Sequence, residues 1–288
     1  MSALMIELLE SVTARLAMSS ETPQLDAQIL LSHVVGQTRT WLLAHAASPT
    51  DPERIERQEA MVRRLERGEP LAYVVGHREF YGLDFDLTHD VLIPRPETEL
   101  LVQTAIDWLE AHPGRGSVAD VGTGCGCIAV SIAGTVREAR ILATDISLPA
   151  LRVAANNARK LGVSDQIDFV NCDMLPPRKR IPATHRLDVV CANLPYIPTS
   201  KLQKLQALRQ EPALALDGGP DGLDPIRGLL EVVLDWLAPD GLVLLEIESE
   251  QGAGALSLAY DWFHEATIHL RQDLAGRDRL LAIQLRGA

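Results

Sequence analysis

The sequence lacks an apolar run long enough to cross a bilayer: the longest stretches, such as LLVQTAI at 100–106 and GLVLLEI at 241–247, fall well short of the ~20 residues a spanning helix needs. It also lacks a basic segment followed by an apolar one at its start. MSALMIELLESV carries acids instead, so a secretory signal is not expected and a cytoplasmic location is. Cysteine is scarce, with four residues at 125, 127, 172 and 191. That is too few for a disulfide scaffold, and no CxxC or His-spaced pair suggests zinc, so no metal is expected. Positive charge is short as well: 27 Lys and Arg stand against 39 Asp and Glu, a formal charge of −12. A protein that grips nucleic acid mainly through phosphates needs a basic surface, and this balance argues against one. The longest basic run is Arg-Lys-Arg at 178–180. Low-complexity tracts are absent too, and with 47% apolar residues the chain reads as folded throughout.

What is present is length and two kinds of periodicity. A chain of 288 residues suits one large domain or two modest ones. In residues 1–70, ALMIELLESVTARLAM, PQLDAQILLSHVVG and DPERIERQEAMVRRLERG place apolar residues three and four apart, with Ser20, Pro23, Gly36, Pro49, Pro52, Gly68 and Pro70 between or at their ends. This pattern predicts a small helical domain. Over 71–93 the period changes to alternation around Gly76 and Gly82, which predicts a β-hairpin linker.

From 94 to 288 short apolar runs alternate with helical segments. SVADVG, ARILATD, QIDFVNCD, LDVVCAN and GLVLLEIE read as strands, and CIAVSIAG and SLPALRVAANNARKLG as helices between the first three. Such alternation predicts an α/β fold with a parallel sheet covered on both faces. The final segment, 266–286, holds two strand-like pieces joined by a Gly-Arg-Asp turn with no room for a helix. The last strand is therefore expected to run antiparallel, on the far side of the sheet.

The candidate site lies where strands end. In VADVGTGCGCIA a strand leads into Gly122, Thr123, Gly124, Cys125 and Gly126 and then a helix. Such a turn lets backbone approach a ligand at the carboxyl edge of the sheet, but it serves nicotinamide, flavin and other ligands alike, or none. Two acids narrow the choice. Asp120 precedes the glycines, where a negative charge would repel a pyrophosphate and suit a cation such as a sulfonium. Asp145 ends the next strand, where a carboxylate can accept both hydroxyls of a ribose. Together they point to S-adenosylmethionine. Asp173 ends the third strand, and Met174 beside it would either pack on an adenine ring or only fill space.

The fourth strand ends in Asn193, Leu194, Pro195 and Tyr196. An amide or exocyclic amine nitrogen is a poor nucleophile, because its lone pair is delocalised into a neighbouring π system. The carboxamide oxygen of Asn193 and the backbone carbonyl of Leu194 can accept the two N–H bonds of such a group, and Tyr196 can stack on its plane. In-line methyl transfer asks little more of a protein than that positioning.

NLPY resembles the Asn-Pro-Pro-Tyr motif of amino-methyltransferases, shared by glutamine N5-methyltransferases and N6-adenine methyltransferases. FYGLDFDLTHDVLIPRPETELLV, EPALALDGGPDGLDPIRGLL and DLAGRDRLLAIQL are similar to the release factor glutamine methyltransferases in particular. The resemblance runs from about residue 70 to the C-terminus and covers the helical region more loosely. It implies a Rossmann-like class I methyltransferase domain with a mostly parallel seven-stranded sheet, behind a small helical domain; since the glycine loop and both strand-end acids lie beyond residues 1–70, that helical domain is expected to recognise the protein substrate. It also implies action on the glutamine of the Gly-Gly-Gln loop of peptide chain release factors. On it the cofactor loop falls on Gly122, Thr123, Gly124, Cys125 and Gly126, the ribose acid on Asp145, the adenine-side position on Met174, and the substrate motif on Asn193 to Tyr196, with Asn193 also near the cofactor.

Leu194 departs from the proline of the motif, and Met174 from a position that can be aromatic. PRPETE favours release factors over the glutamine methyltransferases of ribosomal proteins. Pro94 and Pro96 suit either a rigid helix entry or a wall of the site. An N6-adenine methyltransferase would use the same motif but must extrude a base and hold a phosphate backbone. A nicotinamide-dependent dehydrogenase would leave Asn193 to Tyr196 unexplained, and an inactive methyltransferase-like binding protein is the reading Leu194 raises. A monomer is expected, with release factors as partners and neither nucleic acid nor membrane.

Overall fold

The computed structural model of the protein describes residues 3–177, 186–205 and 210–286, and the chain divides into two units, Met1–His77 and Arg78–Ala288. The Arg-Lys-Arg run at 178–180 lies outside the described residues. No helix among them is long and apolar enough to cross a membrane.

The first unit is helical. A short strand β1 (Ala3–Leu4) pairs antiparallel with β2 (Pro49–Thr50), and helices α1 (Met5–Leu16), α2 (Pro23–Val35), α3 (Arg39–Ala44), α4 (Pro52–Glu66) and α5 (Leu71–Val75) surround one core. Pro23 and Pro52 open their helices, where a missing N–H costs nothing. Asp51 accepts the N–H of Arg54 and so caps α4. Met5, Leu9, Val12 and Leu16 of α1, spaced by three and four, pack in that core with Leu30 and Leu31 of α2 and Val62 of α4. Across the surface Arg15 bridges Glu59 and Glu66 of α4.

The expected hairpin linker at 71–93 opens on a helix. Ala72, Tyr73, Val74 and Val75 are all buried, so apparent alternation there was a continuous apolar run, and Gly76 ends α5 at φ 81°. The hairpin itself is β3 (His77–Phe80) and β4 (Leu83–Asp86). Phe80 and Phe85 are fully buried and meet edge to face.

The second unit is a seven-stranded sheet in the order β10-β11-β9-β8-β5-β6-β7. Its strands are β5 (Ser117–Val121), β6 (Arg140–Asp145), β7 (Ile167–Asn171), β8 (Leu187–Ala192), β9 (Leu237–Glu246), β10 (Thr267–Gln272) and β11 (Asp278–Gln284). Six run in one direction; β11 alone is antiparallel, lying between β9 and β10, so β10 takes the edge. Helices α6 (Glu99–Ala111), α7 (Cys127–Thr135), α8 (Leu148–Lys160), α9 (Thr199–Leu202), α10 (Asp224–Val233) and α11 (Gly252–Trp262) complete it. All six residues of β8 are buried, as a central parallel strand requires. From β5 the chain winds to β6 and β7 on one side, then returns to β8 and β9 on the other. This reversal between β5 and β8 opens a crevice at their carboxyl ends, where Gly122 and Asn193 stand.

Candidate active site

Beyond β5 the backbone N–H groups of Gly122 and Thr123 both donate to the carbonyl of Thr144 on β6, each over 2.9 Å. Gly122 sits at φ 73°, a conformation that favours glycine, and a side-chain carbon there would lie 3.0 Å from Cδ2 of Leu194, which would have to shift. Asp145 holds the loop from the next strand. Its Oδ2 accepts the N–H of Gly124 at 2.9 Å and its Oδ1 that of Ser147 at 2.8 Å. Behind the loop, fully buried Asn157 of α8 donates to the carbonyls of Cys125 and Asp86 and accepts the N–H of Asp86. One side chain thus ties the hairpin to the glycine turn.

Asp120 does not face a ligand. It is fully buried; its Oδ2 accepts the hydroxyl of Thr123 at 2.6 Å and the N–H of Ala129 at 3.1 Å, while its Oδ1 has no partner. Strand alternation turns this side chain to the sheet face under α7, so the expected complement to a cation is instead a brace for loop and helix. Burial pushes the carboxyl up to about 7, against those two hydrogen bonds.

In the crevice lies a cavity of about 270 Å³, lined by Gly122, Thr123, Gly124, Cys125, Asp145, Asp173, Met174, Asn193, Leu194 and Pro195 among others. Gly126 stays behind the wall, at the entry of α7. Tyr196 lines a second cavity of about 320 Å³ with Glu97, Ile197 and Arg279. The two cavities share Leu92, Arg95, Asn193, Leu194 and Ala215. Pro94 lines the first cavity and Pro96 starts a 3-10 turn over Pro96–Thr98, so both roles foreseen for these prolines are present.

The lining suits the cofactor expected of it. Among the described residues, Asp90, Asp145, Asp173 and Asp217 face the first cavity against one base, Arg95, which is itself paired with buried Glu211. A pyrophosphate would meet four acids there, whereas a sulfonium cation is accommodated. Met174, at φ 50°, is held by the hydroxyl of Thr144 donating to its carbonyl at 2.6 Å, which leaves its side chain on the wall.

Asn193 stands between the cavities. Its Nδ2 donates to Oγ1 of buried Thr98 at 3.0 Å, leaving Oδ1 as its available acceptor. Leu194 is buried in the core and Tyr196 is half-buried; its phenol is pushed well up by desolvation and by nearby Glu246. Gln251 donates to the carbonyl of Tyr196 at 2.8 Å, and Ile197 exchanges backbone bonds with Leu216 and Gly218. The EPALALDGGPDG segment is thereby fastened to the chain just past the motif. Thr98, Glu246, Glu211 and Gln251 were not foreseen as parts of this site. Glu246 carried a signal, being an acid inside the apolar run GLVLLEI.

Residues 7–76 match the family described as PrmC N-terminal domain, and residues 118–211 match the one described as methyltransferase domain. The chain is 42% identical to a release factor glutamine methyltransferase of Moorella thermoacetica, over 94% of this chain and 94% of that one. It is 40% identical to one of Bordetella pertussis, over 90% of this chain and 93% of that one. The crystal structure of the hMettl16 catalytic domain in complex with MAT2A 3′UTR hairpin 6 superposes with a TM-score of 0.54 over 82% of this chain and 84% of that one, at 16% identity, which is a likeness of fold alone.

Proposed function

The chain belongs to the release factor glutamine methyltransferase family, and from that premise we propose that it transfers the methyl group of S-adenosylmethionine to the side-chain amide nitrogen of the glutamine in the Gly-Gly-Gln loop of peptide chain release factors. One observation supports this reading above the others: Asn193 lies on the wall shared by two cavities, with its Nδ2 engaged by Thr98 and its Oδ1 left to accept.

The glycine loop from Gly122 to Gly126, Asp145 and Met174 would hold the donor. When bound, S-adenosylmethionine supplies an electrophilic methyl on a positively charged sulfur. The chain's own work falls on the acceptor. Oδ1 of Asn193 and the backbone carbonyl of Leu194 take the two N–H bonds of the glutamine amide, which favours a pyramidal nitrogen and aims its lone pair at the donor side. Tyr196 offers its ring face to the amide plane. Leu194, Pro195 and the buried wall exclude water, so these acceptors act in a low dielectric without reorganising. The helical first unit is assigned to recognition of the release factor, and the protein to the cytoplasm, acting as a monomer.

The test is mass spectrometry of a purified release factor incubated with this protein and S-adenosylmethionine. One added methyl on the loop glutamine is expected. No methyl, or one placed elsewhere, would overturn the reading.

A further inference from the structure

Arg279 and Glu97 line the second cavity with Asn193, Leu194 and Tyr196, and the transfer described above employs neither. Leu280 pairs with Glu246 across β11 and β9, and the carbonyl of Arg279 accepts the N–H of Ile247 at 2.9 Å. Leu245 in turn pairs with Ala192 across β9 and β8, so these ladders carry Arg279 to the carboxyl edge where the motif begins. Asp273, in the turn between β10 and β11, accepts Nε–H of Arg279 at 3.0 Å and is itself fixed by the N–H groups of Ala275 and Arg277. The guanidinium is thus anchored on a side chain only 14% exposed, yet no hydrogen bond to the described residues occupies its Nη1 or Nη2.

Glu97 is its counterpart. It belongs to the turn Pro96–Thr98, whose Thr98 takes the N–H of Asn193, and it is half-buried. Among the described residues its carboxylate has neither a hydrogen bond nor an ion pair. Arg95, the other base on this wall, is already engaged by buried Glu211. The cavity therefore presents one charged donor and one charged acceptor, both open to a ligand, beside the carboxamide proposed to face the acceptor nitrogen.

That combination selects among ligands. A free anion would be drawn to Arg279 and repelled by Glu97, and an apolar group would leave both without partners. A peptide main chain answers both, because each unit carries a neutral carbonyl and a neutral N–H. Glycines depend on such a site: having no side chain, they offer a partner only main-chain groups, and they let it approach closely.

We propose that the second cavity seats the main chain of the Gly-Gly-Gln loop, with the Nη groups of Arg279 donating to one of its carbonyls and the carboxylate of Glu97 accepting one of its N–H groups. Both residues act in binding: they hold the loop so that its glutamine reaches Asn193, and they touch neither the methyl group nor the amide nitrogen. The inference rests on the reading of the acceptor given above.

The experiment uses the full chain, a whole release factor and S-adenosylmethionine. Single-turnover rate is measured against release factor concentration, with calorimetric donor affinity and thermal midpoints, for wild type, Arg279→Met, Arg279→Lys, Glu97→Ala and Glu97→Gln. Contacts made equally in the ground and transition states change the concentration needed and not the maximal rate. Loss of a hydrogen bond to a charged group should raise the half-maximal concentration by about tenfold or more in Arg279→Met and in Glu97→Ala. Maximal rate should stay within about threefold and donor affinity near wild type. Lysine keeps a charged donor and glutamine keeps an acceptor oxygen, so each should recover much of the loss. A residue that only braces the hairpin or the turn would lower the thermal midpoint and leave the half-maximal concentration alone. An unchanged half-maximal concentration in Arg279→Met or Glu97→Ala, a loss confined to maximal rate, or conservative variants no better than the truncated ones would overturn the proposal. If Arg279→Met fails to fold, Glu97→Ala against Glu97→Gln decides it. Wild type leaving the release factor unmethylated would instead overturn the functional reading on which it rests.

Discussion

The N–H of Gly124 lies 2.9 Å from Oδ2 of Asp145, so the acid that ends β6 fastens the loop that leaves β5. Asp145 therefore has two duties, since it also lines the cavity. Asp145→Ala should weaken S-adenosylmethionine binding by up to ~3 kcal/mol, from unpaired ligand hydroxyls and a loosened loop. Asp145→Asn, which keeps one acceptor oxygen, should lose less. Calorimetry giving equal affinities for all three proteins would remove the donor assignment.

Asn193→Ala should abolish most transfer, by ~10² to 10³ in rate, while donor affinity stays near wild type. A purely structural asparagine would lower stability and leave turnover per folded molecule alone. Rates normalised to folded protein decide between them.

Leu194 is buried, with Cδ2 against Gly122, so its side chain packs while its carbonyl is proposed to act. Pro195 already biases residue 194 toward extended backbone. Leu194→Pro should keep the rate within about tenfold, ~1.4 kcal/mol in the barrier, and Pro195→Ala, which frees that backbone, should cost more. Single-turnover methylation giving the reverse order would refute the carbonyl's role.

A fragment of residues 77–288 keeps every residue proposed to hold the donor. It should bind S-adenosylmethionine and lose most activity on a whole release factor. Retained activity on the whole protein would show that the helical unit is not the recognition element.

Asp120 is fully buried with its carboxyl raised from 3.8 to about 7. Its neutral form is favoured in the fold, so its contribution to stability is greatest below about pH 4 and is lost as pH climbs through about 7. Asp120→Asn is neutral throughout and keeps an oxygen for Thr123 and Ala129. Its thermal midpoint, relative to wild type, should rise between pH 5 and pH 8; a difference constant with pH would contradict this.

Much of this was legible because it is local. Apolar runs ending in Gly122, Asp145 and Asn193 fixed the strands and their useful ends, and prolines and glycines marked the helices of the first unit. What stayed hidden depends on residues distant in sequence. Asn193 meets Thr98 across 95 positions, and nothing near either announces the other. Asp120 was placed correctly on its strand and misread in direction, since which face α7 covers is a tertiary fact. The start of the 71–93 segment failed for a related reason: five apolar residues in a row suit a short buried helix as well as a strand, and period cannot choose between them.

The pairing of Val121 with Ala192 across β5 and β8 puts Gly122 and Asn193 on the next rung of one ladder. That ladder is a gauge for the reaction. Slipping it by one residue would carry Asn193 about 3.3 Å along its strand and turn its side chain to the opposite face, a shift as large as the ~3 to 3.5 Å over which reacting atoms meet. An inserted residue in the connections elsewhere can be absorbed at the surface. One inserted within Leu187–Ala192 would separate the two halves of the site by a whole working distance, although every residue of both were still present.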